Sequence, residues 1–402
     1  MAGDYVVDEL AGFVVGAEPS DLSGRPRALL KRNVLDSVAC AIGSLDGELI
    51  ATIREHTDQF SGAHTATLVG GGRASVDQAA FFNAVLVRYP DLLDTYLTVG
   101  GLCHPADNFG AVLAVAEHVN TSGADFLLAL AVAYEIQCRF SAQVPVMARG
   151  LNHALQLAMS VAAGSAKLLG LDAERTANAI AAAAADNVSL AAVHAEPVSN
   201  WKGISPAITG MRAVYTTLLA RRGISGPKSL FEGPHGLVQL FDQPIDFHTA
   251  DRGLTCVEQT YLKQYCALIH GQAIIDAILA IRSDNDLRAD DVAGVTLEVF
   301  QNAYDIAGGG AYGDKDHPRT KEQADYNLNG FGFAERQRGD AGGGRGIPAD
   351  RLQQQRMRPH QNLTQLLGDD EPMLFVGDDE GWEKPAVISD APHCFLQQAL
   401  PA

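Results

Sequence analysis

The chain has 402 residues, 47% of them hydrophobic, and a formal net charge of −18. Such a chain can bury a substantial core and form two domains of a soluble globular protein. The negative charge argues against nucleic acid or an anionic membrane as partner, because both reward basic surfaces, and an anionic ligand would need cations gathered locally.

The start, Met1-Ala2-Gly3-Asp4-Tyr5, lacks a basic stretch followed by an apolar one, which predicts a cytoplasmic rather than a secreted protein. The first 225 residues read mainly as helices, with apolar residues at helical spacing over 21–42 and 77–88. Between them, Gly70-Gly71-Gly72 lacks the Gly-Lys-Ser/Thr that a phosphate loop requires and reads as a turn. The apolar run 126–134 is too short to span a bilayer and leads into Glu135, so it predicts a buried core helix. Further helices are expected over 154–169 and from Asp172-Ala173-Glu174 towards Ala185, the latter rich in alanine. Composition changes near Phe241, and 292–300 alternates and is β-branched, the mark of a strand. Gly308 to Gly310 with Gly313-Asp314-Lys315 read as a hinge or turn. From about 329 the chain turns to Gly342-Gly343-Gly344, Gln353-Gln354-Gln355 and acidic pairs, a composition expected of a divergent tail or a shifted reading frame.

The six cysteines are scattered without close pairs, which argues against a disulfide framework and against a zinc or iron–sulfur site. Chemistry therefore falls to ordinary side chains. Lys202 in Ser199-Asn200-Trp201-Lys202-Gly203 is a lone cation among small and aromatic residues, placed to receive an anion. Three polar clusters are expected to converge with it: Asp94 with Thr98 and His104, His153 in Leu151-Asn152-His153, and Lys263 ahead of Gln264-Tyr265-Cys266. Histidine suits proton transfer because its pKa lies near neutrality, and lysine supplies charge and donors. Such a set suits an enzyme that binds a polycarboxylate and moves a proton beside one of its carboxylates. His153 also precedes the 154–169 helix, where an N-terminal cap would stand. His56, His64 and His118 read as surface residues, His270 as a packing residue on a helix beginning near Ala267, and Arg88 and Arg139 as partners of acidic groups or of substrate.

Over residues 5–328 these segments resemble, in their order, the MmgE/PrpD family. The resemblance is carried by Leu35-Asp36-Ser37-Val38-Ala39-Cys40, Asp91-Leu92-Leu93-Asp94-Thr95 with His104-Pro105, Ala133-Tyr134-Glu135 and Ser199 to Gly203. It continues in Phe231-Glu232-Gly233, the Lys263 to His270 segment and Arg319-Thr320-Lys321-Glu322-Gln323-Ala324-Asp325. It implies a mainly α fold: a large helical domain over 1–262 and a smaller α/β lid domain, of which 263–328 is a part, with 329–402 left as the divergent tail. It implies site positions Asp94, Thr98, His104, His153, Lys202 and Lys263, a homodimer, and no cofactor or metal. Asp94 and His104 would form an orienting or acid and base pair, His153 a second proton-transfer group, and the lysines a carboxylate clamp. The expected activity is a 2-methylcitrate dehydratase-like lyase. The alternatives are decarboxylation of cis-aconitate, or a catalytically silent member of the family. Leu268 and Ile269 precede His270 where the dehydratase branch tends to carry a glutamate.

Overall fold

A computed structural model of the chain describes residues 5–60, 62–98, 101–286, 295–313, 318, 320–328 and 395–398. It divides into two compact units, residues 1–269 and 270–402. The first is built of helices α1 (Val6–Gly16), α2 (Gly24–Gly43), α3 (Glu48–Thr57), α4 (Val76–Arg88), α5 (Phe109–His118), α6 (Gly123–Gln143), α7 (Ala154–Leu168), α8 (Ala173–Asp186), α9 (Trp201–Arg221) and the short α10 (Leu237–Phe241). The fold is mainly α, as expected.

Local chemistry explains several boundaries. Asp172 caps α8, its side chain accepting from the Arg175 N–H at 2.8 Å, and Ser122 caps α6 through the Asp125 N–H at 3.1 Å; each satisfies a donor that the first turn leaves open. The glycine triplet carries φ values of 91, 120 and 89° and makes the turn between β1 (Ala66–Thr67) and β2 (Arg73–Ala74).

α7 is central: it packs on α6, α8 and α9, while α4 packs on α5 and α9. Small residues allow this closeness. A methyl group at Gly110 of α5 would meet the Ala84 Cα of α4 at 2.8 Å, nearer than real Cβ atoms approach backbone. The apolar core is built from these helices, with Phe82, Phe109, Phe140 and Leu155 buried in it, and each such side chain removed from water contributes about 1.5–3 kcal/mol.

Into this bundle is set a small antiparallel sheet of order β4-β3-β5, formed by β3 (Thr95–Thr98), β4 (Gly101–Cys103) and β5 (Thr260–Tyr261). Thr95 faces Tyr261 and Tyr96 faces Cys103 in register. The sheet carries His104 at the end of β4 and Lys263 just beyond β5.

The second unit holds α11 (Gln272–Asn285), β6 (Val295–Glu298), α12 (Gln301–Ala307) and α13 (Lys321–Ala324). The expected strand is present over its described part. The helix expected from Ala267 instead starts at Gln272, after a tight turn over Ile269–Gly271. The left-handed Gly309 and Gly313 make the expected turn after α12, and Asp314 and Lys315 lie outside the described residues. So does the proposed tail, apart from β7 (Phe395–Gln398), which pairs antiparallel with β6. Among the described residues no helix is long and apolar enough to cross a membrane.

Candidate active site

Five of the six expected residues, Asp94, His104, His153, Lys202 and Lys263, are buried in the first unit, and Thr98 is half-buried there. The Asp94 carboxylate is a structural hub. Oδ1 accepts from the Ala106 N–H at 2.8 Å, and Oδ2 accepts from Asn33 Nδ2 at 2.8 Å and from the Tyr134 hydroxyl at 2.9 Å. Burial drives its pKa up to about 6, against these three hydrogen bonds, which favour the ionised form. Asn33 also donates to Thr260 Oγ1 at 2.9 Å, tying α2 to β5.

His104 is held by the main chain of Asp94 rather than by its carboxylate. Its Nδ1 lies 2.9 Å from the Asp94 carbonyl oxygen and 3.2 Å from Thr95 Oγ1. A carbonyl can only accept, so Nδ1 carries the proton and Nε2 presents a lone pair. Burial, reinforced by Arg88, Lys263 and His153, holds the imidazole well below the usual histidine value, which keeps it neutral with the Nε2 lone pair unprotonated. The His153 ring stands edge-on to it, with centroids 5.4 Å apart.

His153 occupies the N-cap position of α7 but makes no capping bond. Its Nε2 lies 3.5 Å from Asp107 Oδ2, an ion-pair distance outside hydrogen-bonding geometry, and Arg88 Nη1 lies 3.6 Å from the same oxygen. Burial lowers the His153 pKa despite the opposing influence of Asp107.

Lys202 is the second residue of α9, with Trp201 turned outward and Lys202 inward. A cation there faces the positive end of the helix dipole, a cost that a neighbouring anion must offset. Asp91 is that anion: its Oδ2 lies 3.1 Å from Lys202 Nζ and its Oδ1 3.2 Å from Lys263 Nζ. The two lysines thus converge on one carboxylate, and the acidic protein does concentrate buried positive charge locally. Thr98 is held by its own hairpin, its hydroxyl donating to the Gly101 carbonyl at 3.0 Å.

Sequence reasoning did not single out Asp91, Thr95, Asp107 or Tyr134 as site residues. Their signal was present only as membership of quoted segments, or, for Asp107, as the third residue after His104. Arg139 is a staple, pairing with Glu135 Oε1 at 2.9 Å and donating to the carbonyls of Phe247, His248, Asp251 and Gly253. Glu135 Oε2 in turn accepts from the Cys256 N–H at 2.9 Å, anchoring the segment that leads to β5 and Lys263. His56 and His64 are exposed, whereas His118 is half-buried with Nδ1 2.9 Å from Thr65 Oγ1. His270 packs edge-on against Phe300 in the second unit. Among the described residues no group of three His, Cys, Asp or Glu side chains is arranged to hold a metal ion.

Comparison with known proteins shows the family to which the sequence is similar. Residues 8–250 match the MmgE/PrpD N-terminal domain and residues 265–334 the MmgE/PrpD C-terminal domain. The chain is 26% identical over 322 residues to a 2-methylcitrate dehydratase of Cupriavidus necator, covering 74% of this chain and 65% of that one. It is 25% identical over 338 residues to a mitochondrial 2-methylcitrate dehydratase of Yarrowia lipolytica, covering 78% and 64%. It is 26% identical over 251 residues to a cis-aconitate decarboxylase-like protein of Aspergillus oryzae, covering 59% and 52%. The chain spans less than two thirds of the length of each of these relatives.

Proposed function

Because the chain belongs to the MmgE/PrpD family, whose N-terminal domain it matches over more than half its length, we propose that it is a lyase acting on a citrate-like polycarboxylate, in the manner of a 2-methylcitrate dehydratase. The observation that carries this reading is a neutral histidine with an available Nε2 beside a buried cradle of two lysines. In the proposed elimination His104 Nε2 takes the carbon-bound proton next to a carboxylate held by Lys202 and Lys263. The C–H electron pair forms the new double bond, the C–O bond breaks, and the leaving hydroxyl departs as water with a proton supplied from the His153 side. The lysine charge stabilises the enolate-like carboxylate that develops in the transition state. Asp94 serves as a positioning group in this scheme, since its three hydrogen bonds occupy the carboxylate and its carbonyl holds His104. Thr98 would donate to a second carboxylate only by exchanging the bond its hydroxyl now gives to the Gly101 carbonyl.

The name of the Aspergillus oryzae relative favours a second reading, decarboxylation of cis-aconitate on the same cradle. One assay separates the two. Purified protein is offered 2-methylcitrate, citrate and cis-aconitate separately, and the absorbance of a conjugated alkene and the release of carbon dioxide are followed. A rise with a citrate-like acid identifies the dehydratase, and a fall with cis-aconitate accompanied by carbon dioxide identifies the decarboxylase. Inertness towards all three, or turnover unchanged in Lys202→Ala and His104→Asn, overturns the proposal.

A further inference from the structure

Asp91 joins two segments that lie far apart in the chain. Its carboxylate oxygens reach Lys202 at 3.1 Å and Lys263 at 3.2 Å, and Lys263 donates also to the Asp91 carbonyl oxygen at 2.9 Å. All three residues are buried. Asp91 adopts a φ of 51°, the left-handed region, which costs a residue with a side chain on the order of 1 kcal/mol but which Asp and Asn tolerate better than most. The contact is therefore made at a conformational cost.

Two ammonium groups withdrawn from water shed their protons readily unless a counter-charge stands beside them. One carboxylate shared between two lysines stands as a counter-charge to both, and the buried Arg88 adds to the positive field on it. The carboxylate is correspondingly held well below its usual range. Burial alone would raise it, but Lys202, Lys263, Arg88 and His104 prevail.

We propose that Asp91 is a built-in carboxylate that holds Lys202 and Lys263 side by side as a single cationic cradle, and that a substrate carboxylate binds by sharing the two ammonium groups with it. Asp91 is thus a positioning residue. The second half of the proposal rests on the polycarboxylate reading, and the first does not. Among the described residues, the charged and titratable groups that act on the cradle include Arg88, His104 and His153, with Cys40 acting on Lys263, Asp107 beyond Arg88 and Asp94 behind His104.

Asp91→Asn tests it, because asparagine has the same size and tolerates the same backbone conformation; Asp91→Glu retains the charge. The lysine side chains are followed by NMR in protein labelled at lysine Cε, with Lys202→Arg and Lys263→Arg assigning the signals. In the wild type both lysines should stay charged up to about pH 9, whereas in Asp91→Asn at least one should titrate at about pH 7.5 or below. Binding of tricarballylate, a tricarboxylate without a hydroxyl to lose, is measured by calorimetry. Between about pH 6.5 and about pH 8.5 the wild-type affinity should change less than about threefold and that of Asp91→Asn should fall about tenfold or more, with Asp91→Glu restoring the flat profile. Lysine titrations unchanged in Asp91→Asn would overturn the proposal, as would a flat affinity profile in that variant. Lysines that respond as expected in a protein that binds no tricarballylate would leave the cradle standing and remove the polycarboxylate reading instead.

Discussion

At Asp94 burial and hydrogen bonding pull in opposite directions, and Asp94→Asn separates them. Three donors favour the carboxylate, yet burial prevails and lifts the pKa from 3.8 to about 6. A folded-state pKa above the unfolded one means that the native protein holds this proton more tightly. The associated stability is fully present below about pH 4 and is lost as pH rises through about 6. Roughly two pKa units at 1.36 kcal/mol each give a loss of about 3 kcal/mol, of which about 2 kcal/mol falls between pH 4.5 and pH 7.5. Asparagine carries no charge and removes this loss. Its amide nitrogen would face Asn33 Nδ2 and the Tyr134 hydroxyl; the hydroxyl can turn to accept, and Asn33 keeps Thr260 Oγ1. That conflict costs about 1 kcal/mol at either pH. Asp36, itself raised to about 7 by burial and then by Asp94, relaxes in the same direction when the Asp94 charge is removed. Urea unfolding followed by far-ultraviolet circular dichroism at the two pH values should show Asp94→Asn gaining about 2 kcal/mol relative to wild type at the higher pH. An equal difference at both would refute the claim that burial governs Asp94.

Three other outcomes are expected. His104→Asn should lower kcat by about 10²–10⁴, and in the wild type the pH profile of kcat/KM should show no acid limb from His104 above about pH 6, because burial and the nearby Arg88, Lys263 and His153 keep it neutral there. Arg139→Ala leaves Glu135 buried without its ion-pair partner and frees four carbonyls of the 247–253 segment; unfolding should show a loss of about 3–5 kcal/mol, and limited proteolysis should cut that segment first. Gly110→Ala forces a methyl into the α4 backbone near Ala84 and should cost about 1–3 kcal/mol, read as a fall in Tm.

The sequence by itself determined the helices and the family. Caps such as Asp172, the alanine-rich apolar faces and the glycine triplet act within a few residues, so their physics is local and legible. The types and order of the polar segments pointed to His104, His153, Lys202 and Lys263 for a similar reason, since unusual residues in apolar or small-residue surroundings stand out wherever the chain later carries them. The sheet of β3, β4 and β5 was not legible: its strands run two to four residues, too short for an alternating pattern to register. Only the tertiary structure decided which carboxylate serves which partner. Asp91 and Asp94 stand three apart in one segment, yet the first takes both lysines while the second takes Asn33, Tyr134 and Ala106, and it is the main chain of Asp94 that fixes the His104 tautomer. Such pairings depend on distances of about 3 Å between groups more than a hundred residues apart, and burial, which sets the charge state of each group, exists only once the helices have packed.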